Sequence, residues 1–491
     1  MLRADLTFTG GRAILGRHLS SSPPTTTTTM ATPATDLRHE PAVLSLIGNT
    51  PLVEITRLDT GRCRLFVKLE SQNPGGSIKD RIALSMIDAA ERDGRLKPGG
   101  TVVEATAGNT GLGLALVARA KGYRVLLVIP DKMSAEKVLH LKALGAEIRM
   151  TRSDVTKGHP EYYQDMAQRL AADIPGAFYV NQFGNPANPL AHERTTGPEI
   201  WEQMGHDVGA VVCGVGSGGT LTGLTHFFAR VSPATEMVLA DPAGSVLAPY
   251  VETGKIGEAG SWVVEGIGED FIPPIADLSG VKKAYAIPDA ESLATARELL
   301  RSELILGGSS AGTLVAAALR YCHDQTEAKR VVTFIPDTGS KYLSKMYNDF
   351  WMIDQGFIEL PRYGDLRDLV SRRYEAGAIV SVSAEDTLLT AFQRMRVADV
   401  SQVPVLSGDD VVGILDESDV LLHVYKQPDR FRDKVATAMT QRLETLNPGA
   451  GLADLLAILN KDHVAIIVDN GRFFGLITRY DLLTFLRRSL P

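Results

Sequence analysis

Three stretches of the 491-residue chain hold residue types whose spacing could do chemistry together. The first is Lys79, which follows Pro74, Gly75, Gly76, Ser77 and Ile78. A lysine held on rigid elements can face a pocket, and a desolvated amine there can form a Schiff base with a carbonyl compound. The second stretch is Thr106, Ala107, Gly108, Asn109, Thr110 and Gly111; the third is Gly214, Val215, Gly216, Ser217, Gly218, Gly219 and Thr220. A glycine-rich loop feeding a helix N-terminus is an anion site, because bare backbone N–H groups and the positive dipole end face the ligand. One such lysine and two such loops point to an aldehyde cofactor that carries a phosphate. Each stretch alone has a plainer reading: a solvated lysine, a helix cap, a glycine-rich packing turn.

The elements that must position these groups follow from the apolar pattern. Residues 65–67 form an apolar run that ends in the Pro74, Gly75, Gly76 turn, and good helix formers follow Lys79 (Ile82, Ala83, Leu84, Met86, Ile87). A strand over 101–104 leads into the second loop and a helix over 112–120; a strand over 210–213 leads into the third loop and another helix. Further strands are expected over 125–129, 237–240 and 331–335, with helices over 134–144 and 199–204 between them. This alternation belongs to parallel sheets covered on both faces.

Taken in order, Gly75 to Arg81, Thr106 to Gly111 and Gly216 to Thr220 resemble the fold type II family of pyridoxal-phosphate enzymes. Within it the chain is most similar to the cystathionine β-synthase family, in the cysteine synthase/cystathionine β-synthase branch. The stretches 182–192, 265–271, 307–312 and 347–352 support the resemblance, which spans roughly residues 40–491. It implies an α/β fold: two parallel-sheet sub-domains with the cofactor between them, the smaller over roughly 85–185 and able to close. A tandem pair of α+β CBS modules would follow.

By the same resemblance Lys79 holds pyridoxal 5'-phosphate and moves the substrate's Cα proton, which an amine does well when its pKa is near the working pH. Gly216, Ser217, Gly218, Gly219 and Thr220 cradle the phosphate. Asn109 bonds the ring hydroxyl, and Thr106, Ala107, Asn109, Thr110 and Gln182 grip the amino acid's carboxylate. Relatives often carry Ser where Ala107 stands, so backbone N–H groups would do more of that work. Ser309 faces the pyridine nitrogen, with Ser310 the adjacent candidate; a hydroxyl there does not enforce a charged ring and favours loss of a β-substituent. His192, Asp80 and Arg81 take structural roles. Phe183 and Glu269 stand where several relatives have Tyr. The implied reaction condenses serine with homocysteine to cystathionine and water. The alternatives are a cysteine synthase using O-acetylserine and sulfide, and a regulatory adenosyl-binding protein on an inactive scaffold.

Composition is that of an ordinary globular protein, 44% hydrophobic and 22% charged. A net charge of −7 without a basic block argues against nucleic acid and anionic membranes as partners, and no apolar run approaches a membrane span. The three cysteines (Cys63, Cys213, Cys322) are far apart with no CxxC, which fits a reducing, cytoplasmic setting without a disulfide framework. No metal site is expected. Haem is not expected either: animal relatives hold it through an upstream Cys, and no Cys precedes Cys63.

Residues 1–38, with their Ser, Pro and Thr run, read as a disordered or leader-like tail. The catalytic domain is expected over 39–352 and a linker over 353–377. Over 378–491 (modules 378–430 and 431–491) a repeat appears, offset by 62 residues: Gly413 answers Gly475 and Asp419 answers Asp481. Thr478 and Asp481 match the ribose-binding positions of such modules, and Asp416 and Asp419 are their first-module counterparts. The two clefts should differ, because a second carboxylate repels phosphate. S-adenosylmethionine or another adenosyl compound is the expected effector, and a homodimer or homotetramer the expected assembly.

Overall fold

The computed structural model describes residues 41–106, 108–131, 135–155 and 158–488, so the expected tail over 1–38 and Ala107 lie outside it. The chain enters through β1 (Leu52–Glu54) and β2 (Arg64–Lys68), an antiparallel pair. The turn after β2 opens α1 (Lys79–Arg92), which buries Ile82, Ala83, Met86, Ile87 and Ala90. Next come β3 (Thr101–Ala105), α2 (Asn109–Ala120), β4 (Arg124–Pro130), α3 (Ala135–Ala143), β5 (Glu147–Thr151), α4 (Tyr163–Asp173) and β6 (Ala177–Tyr179). Their strands form a four-stranded parallel sheet in the order β5-β4-β3-β6. Side chains alternate between its faces: Val102, Val125 and Leu127 enter one core, Val103, Leu126 and Val128 another. Both faces are therefore covered, which is why β4 reads as a continuous apolar run.

The chain returns through α5 (Ala187–Ala191), a π-helical turn (His192–Thr196) and α6 (Gly197–Gln203). Then follow β7 (Ala210–Gly214), α7 (Gly219–Val231), β8 (Glu236–Pro242), α8 (Leu247–Thr253), β9 (Val281–Ile287), α9 (Asp289–Glu303), α10 (Ser309–His323) and β10 (Arg330–Phe334). They complete a six-stranded sheet, β1-β2-β10-β7-β8-β9, parallel from β2 onward. The expected two sub-domains are thus present. Lys79, Asn109 and the Gly216 to Thr220 loop each sit where the chain passes from a strand's C-terminal end to a helix, the position that open α/β sheets use for ligands.

α11 (Asp349–Asp354) follows, capped by the Asn348 side chain. The first module contains β11 (Val382–Ser383), α12 (Leu388–Ala398), β12 (Gln402–Ser407), β13 (Asp410–Asp416) and α13 (Glu417–Val424). The second contains β14 (Thr445–Leu446), α14 (Leu452–Leu459), β15 (Ala465–Asp469), β16 (Arg472–Ile477) and α15 (Arg479–Arg488). Each sheet pairs its first two strands parallel and its last two antiparallel. The ladders even slip at equivalent places, between Val405 and Leu406 and between Ile467 and Val468. One expectation needs correction. The stretch 353–377 is not a free connector, because Leu366, Leu369 and Val370 are buried in the second module's core beside Leu455, Ile467 and Phe474. Among the described residues no helix is long and apolar enough to cross a membrane.

Candidate active site

A cleft of 270 Å³ opens at the strand ends of both sheets, and Lys79, Asn109, Gln182, Ser217 and Thr220 all line it. Lys79 is the first residue of α1, so the helix axis fixes its Cα. The loop before it is held by Asp80, whose Oδ2 accepts the Gly75 N–H at 2.5 Å. Burial pushes the Asp80 carboxyl up to about 6. The Lys79 amine donates no hydrogen bond to any described residue. Burial lowers its pKa, opposed by the charges of Asp337 and Glu269, and so favours the neutral amine that proton transfer requires.

The third loop is bare by necessity. Gly218 has φ +92°, the left-handed region that favours glycine. A Cβ on Gly219 would lie 1.9 Å from Asn188 Oδ1, and one on Gly216 would lie 2.5 Å from the Gly266 carbonyl. Asn188 braces the loop by donating to Ser217 Oγ at 2.9 Å and to the Gln182 carbonyl at 2.8 Å. Its own Oδ1 is buried without a partner. α7 starts at Gly219, and the first N–H groups of a helix have no intrahelical acceptor. This cradle fits a phosphate. His192, read as structural, lies behind it: buried, it shares hydrogen bonds with Thr196 (Nδ1 to Oγ1, 2.9 Å) and Thr220 (Nε2 to Oγ1, 3.2 Å). Burial holds its pKa well below the usual histidine range, so the neutral ring positions Thr220.

The opposite wall carries the second loop. Thr110 donates to Gln182 Oε1 at 2.7 Å, and Thr106 Oγ1 accepts the Gly108 N–H at 3.2 Å. Both loops hang on Glu104, whose carboxylate accepts the Gln182 N–H at 3.0 Å and the Ala105 N–H at 2.8 Å. Buried at the end of β3, Glu104 is pushed up to about 7. Asn109 faces the cleft, but its amide is engaged: it donates to Asp337 Oδ2 at 2.8 Å and accepts from Lys341 Nζ at 2.7 Å. These bonds clasp the start of α2 to the loop after β10.

Ser309 and Ser310 open α10 side by side, both buried. The Ser309 hydroxyl accepts the Glu265 N–H at 3.0 Å, whereas Ser310, one residue further into α10, lines the cleft. The residue that bonds Ser309 lies 44 positions away, so no local signal separates the two serines. Sequence reasoning also passed over Asn188, Glu104 and Asp337. A polar residue inside an apolar strand, as at Glu104, was the available signal for one of them. Glu265 and Glu269 are further cleft residues. Glu265 is ion-paired to Lys137 and Lys345, which holds its carboxyl low.

A second cavity, of 640 Å³, is lined by Thr478 and Asp481 together with Phe350 and Trp351 of α11. That volume lies within the roughly 300–1,000 Å³ typical of small-molecule sites. Asp481 accepts from Thr478 N–H (2.8 Å), Thr478 Oγ1 (2.6 Å) and Ser371 Oγ (2.6 Å). In the first module Asp416 and Asp419 make the same reciprocal backbone caps, at 2.7 and 3.1 Å, but neither lines this cavity. The two positions are not equivalent.

The model of the family described as pyridoxal-phosphate dependent enzyme matches residues 43–337, and the CBS domain model matches residues 366–426 and 435–488. The chain is 35% identical over 463 residues to a cystathionine beta-synthase of Apis mellifera, covering 91% of each chain. It is 42% identical over 301 residues to cysteine synthase A of Salmonella typhi, covering 61% of this chain and 92% of that one. A hydrogen sulfide-producing enzyme from Fusobacterium nucleatum superposes with a TM-score of 0.57 at 36% identity, covering 61% of this chain and 99% of that one.

Proposed function

The chain belongs to the cystathionine β-synthase family of pyridoxal-phosphate-dependent enzymes, and on that premise we propose that it condenses serine with homocysteine to give cystathionine and water. The observation that carries this reading is Lys79, desolvated at the start of α1 and sharing one cleft with the bare Gly216, Gly218, Gly219 loop. Bound there, pyridoxal phosphate supplies the electron sink that makes the substrate's Cα proton removable. Lys79 takes that proton and returns it. Gly216, Ser217, Gly218, Gly219 and Thr220 hold the phosphate. Thr106, Thr110 and Gln182 hold the substrate carboxylate, Asn109 serves the ring hydroxyl, and Ser309, with Ser310 beside it, serves the ring nitrogen. The test is product identification by mass, with serine or O-acetylserine plus homocysteine or sulfide. Cystathionine from serine is expected; cysteine from O-acetylserine and sulfide as the sole product would favour the cysteine synthase reading instead.

The second cavity supports an adenosyl effector, S-adenosylmethionine first among them, held through Asp481. Asp481→Ala is expected to abolish the ligand-induced shift in melting temperature, which in wild type reflects a stabilisation of RT ln(1 + [L]/Kd). Calorimetry showing no adenosyl ligand bound by wild type at millimolar concentration would reduce the modules to a structural role. A cytoplasmic homodimer or homotetramer completes the proposal.

A further inference from the structure

Glu269 lies half-buried on the cleft wall, in the same cavity as Lys79. Its backbone is fixed on both sides. Its N–H donates to Ser245 Oγ at 3.1 Å, and its carbonyl accepts from Ser245 Oγ at 3.1 Å and from the Val246 N–H at 3.0 Å. The preceding Gly268, at φ +86°, donates to the Val215 carbonyl at 2.8 Å. The loop is thus pinned to the end of β7 and the start of α8. The carboxyl itself has no hydrogen-bond partner among the described residues.

The charged and titratable groups facing it are Lys79 across the cleft, Asp270 beside it, Asp241 on β8, and Tyr162 and Tyr163 at the start of α4. Burial first, then the two aspartates, pushes the Glu269 carboxyl up to about 8. Lys79 is pushed the other way. One cleft therefore holds a carboxylic acid pushed toward keeping its proton and an amine pushed toward losing one. Groups driven apart in this way mark an acid and a base. Glu265, on the same loop, cannot serve as the acid, because Lys137 and Lys345 keep it ionised.

Resting on the reading above, we propose that Glu269 is the general acid that protonates the departing β-hydroxyl of serine, and then the base that takes the proton of the incoming thiol. Lys79 removes the Cα proton, and the electron pair left behind becomes a Cα–Cβ double bond as the Cβ–O bond breaks. The oxygen leaves with its bonding pair, takes the Glu269 proton and departs as water. The Glu269 carboxylate then accepts the S–H proton while sulfur bonds to Cβ, and Lys79 returns its proton to Cα. Both groups end as they began.

Glu269→Gln separates this role from a structural one, since the amide matches the protonated carboxyl in shape and charge. In a single turnover without thiol, which isolates departure of the leaving group, the variant should slow roughly 10²- to 10⁴-fold on serine. On O-acetylserine, whose acetate leaves without a proton, the loss should stay below about tenfold. Wild-type turnover on serine should fall as pH rises through about 8. The cofactor-free protein gives an independent readout: the Glu269 carboxyl carbon, assigned by its disappearance in Glu269→Gln, should titrate near that pH by NMR. Equal losses on both substrates, undiminished serine turnover, or a titration in the ordinary carboxylate range would each overturn the proposal. Failure of wild type to use serine at all would sink the synthase reading, and this proposal with it.

Discussion

Lys79→Ala lowers turnover by at least roughly 10⁴-fold, the upper end of what one positioned acid–base group contributes, because the cofactor's anchor and the proton carrier are lost together. Among the described residues no other lysine lines the cleft. Lys341 is spent on Asn109 and on the Gly75 and Gly76 carbonyls, and Lys137 on Glu265. The substitution should leave the fold intact, since the amine donates no hydrogen bond to the described residues and alanine is a better helix former than lysine. The check is turnover together with the melting temperature. Retained turnover would remove Lys79 from the chemistry; lost turnover with a collapsed melting temperature would leave its role unproven.

Arg81→Leu destabilises the protein by about 3–5 kcal/mol, the cost of leaving a buried charge unpaired. The Arg81 side chain is 2% exposed and that of Glu70 0%. The guanidinium donates to both Glu70 oxygens (2.7 and 2.9 Å) and to both Glu199 oxygens (2.7 Å each). Lys68 adds a further bond to Glu199 at 2.8 Å. The network ties α1, which carries Lys79, to α6 and to the turn after β2. It also has a pH signature. Arg81 and Lys68 hold Glu199 down at about 2, below its value in the unfolded chain. A depressed carboxylate contributes stability that is present above its unfolded pKa and lost as pH falls toward the folded one. Wild-type stability should therefore decline between roughly pH 4.5 and 2, and Arg81→Leu should flatten part of that decline. Denaturant midpoints measured across this range test both statements; a midpoint unchanged at neutral pH would contradict them.

The parts of the site that were legible in the sequence are those settled locally. A turn such as Pro74, Gly75, Gly76 must precede α1, and glycine at 216, 218 and 219 must leave room, whatever surrounds them. The 62-residue repeat was legible for the same reason, and it extends to matching slips in the two sheets. Long-range contacts decided the rest. The Ser309 hydroxyl meets a loop N–H from Glu265, 44 residues away in sequence. Leu366 and Val370 look like connector until the second module closes over them. The carboxyls of Glu104 and Glu269 are ordinary letters in a sequence, and only burial gives them their proton affinity.

The wall that α11 lends to the module cavity has one more implication. Trp351 lies in that wall and also packs in the cluster containing Tyr342, whose hydroxyl donates to Asp337 at 2.8 Å; Asp337 in turn accepts from Asn109 across the catalytic cleft. A continuous train of contacts thus joins the two cavities. Thermodynamic reciprocity then runs in both directions: if an occupant of the far cavity changes substrate affinity by some factor, substrate changes that occupant's affinity by the same factor. The modules would then serve as a gauge of catalytic occupancy as much as a dial upon it.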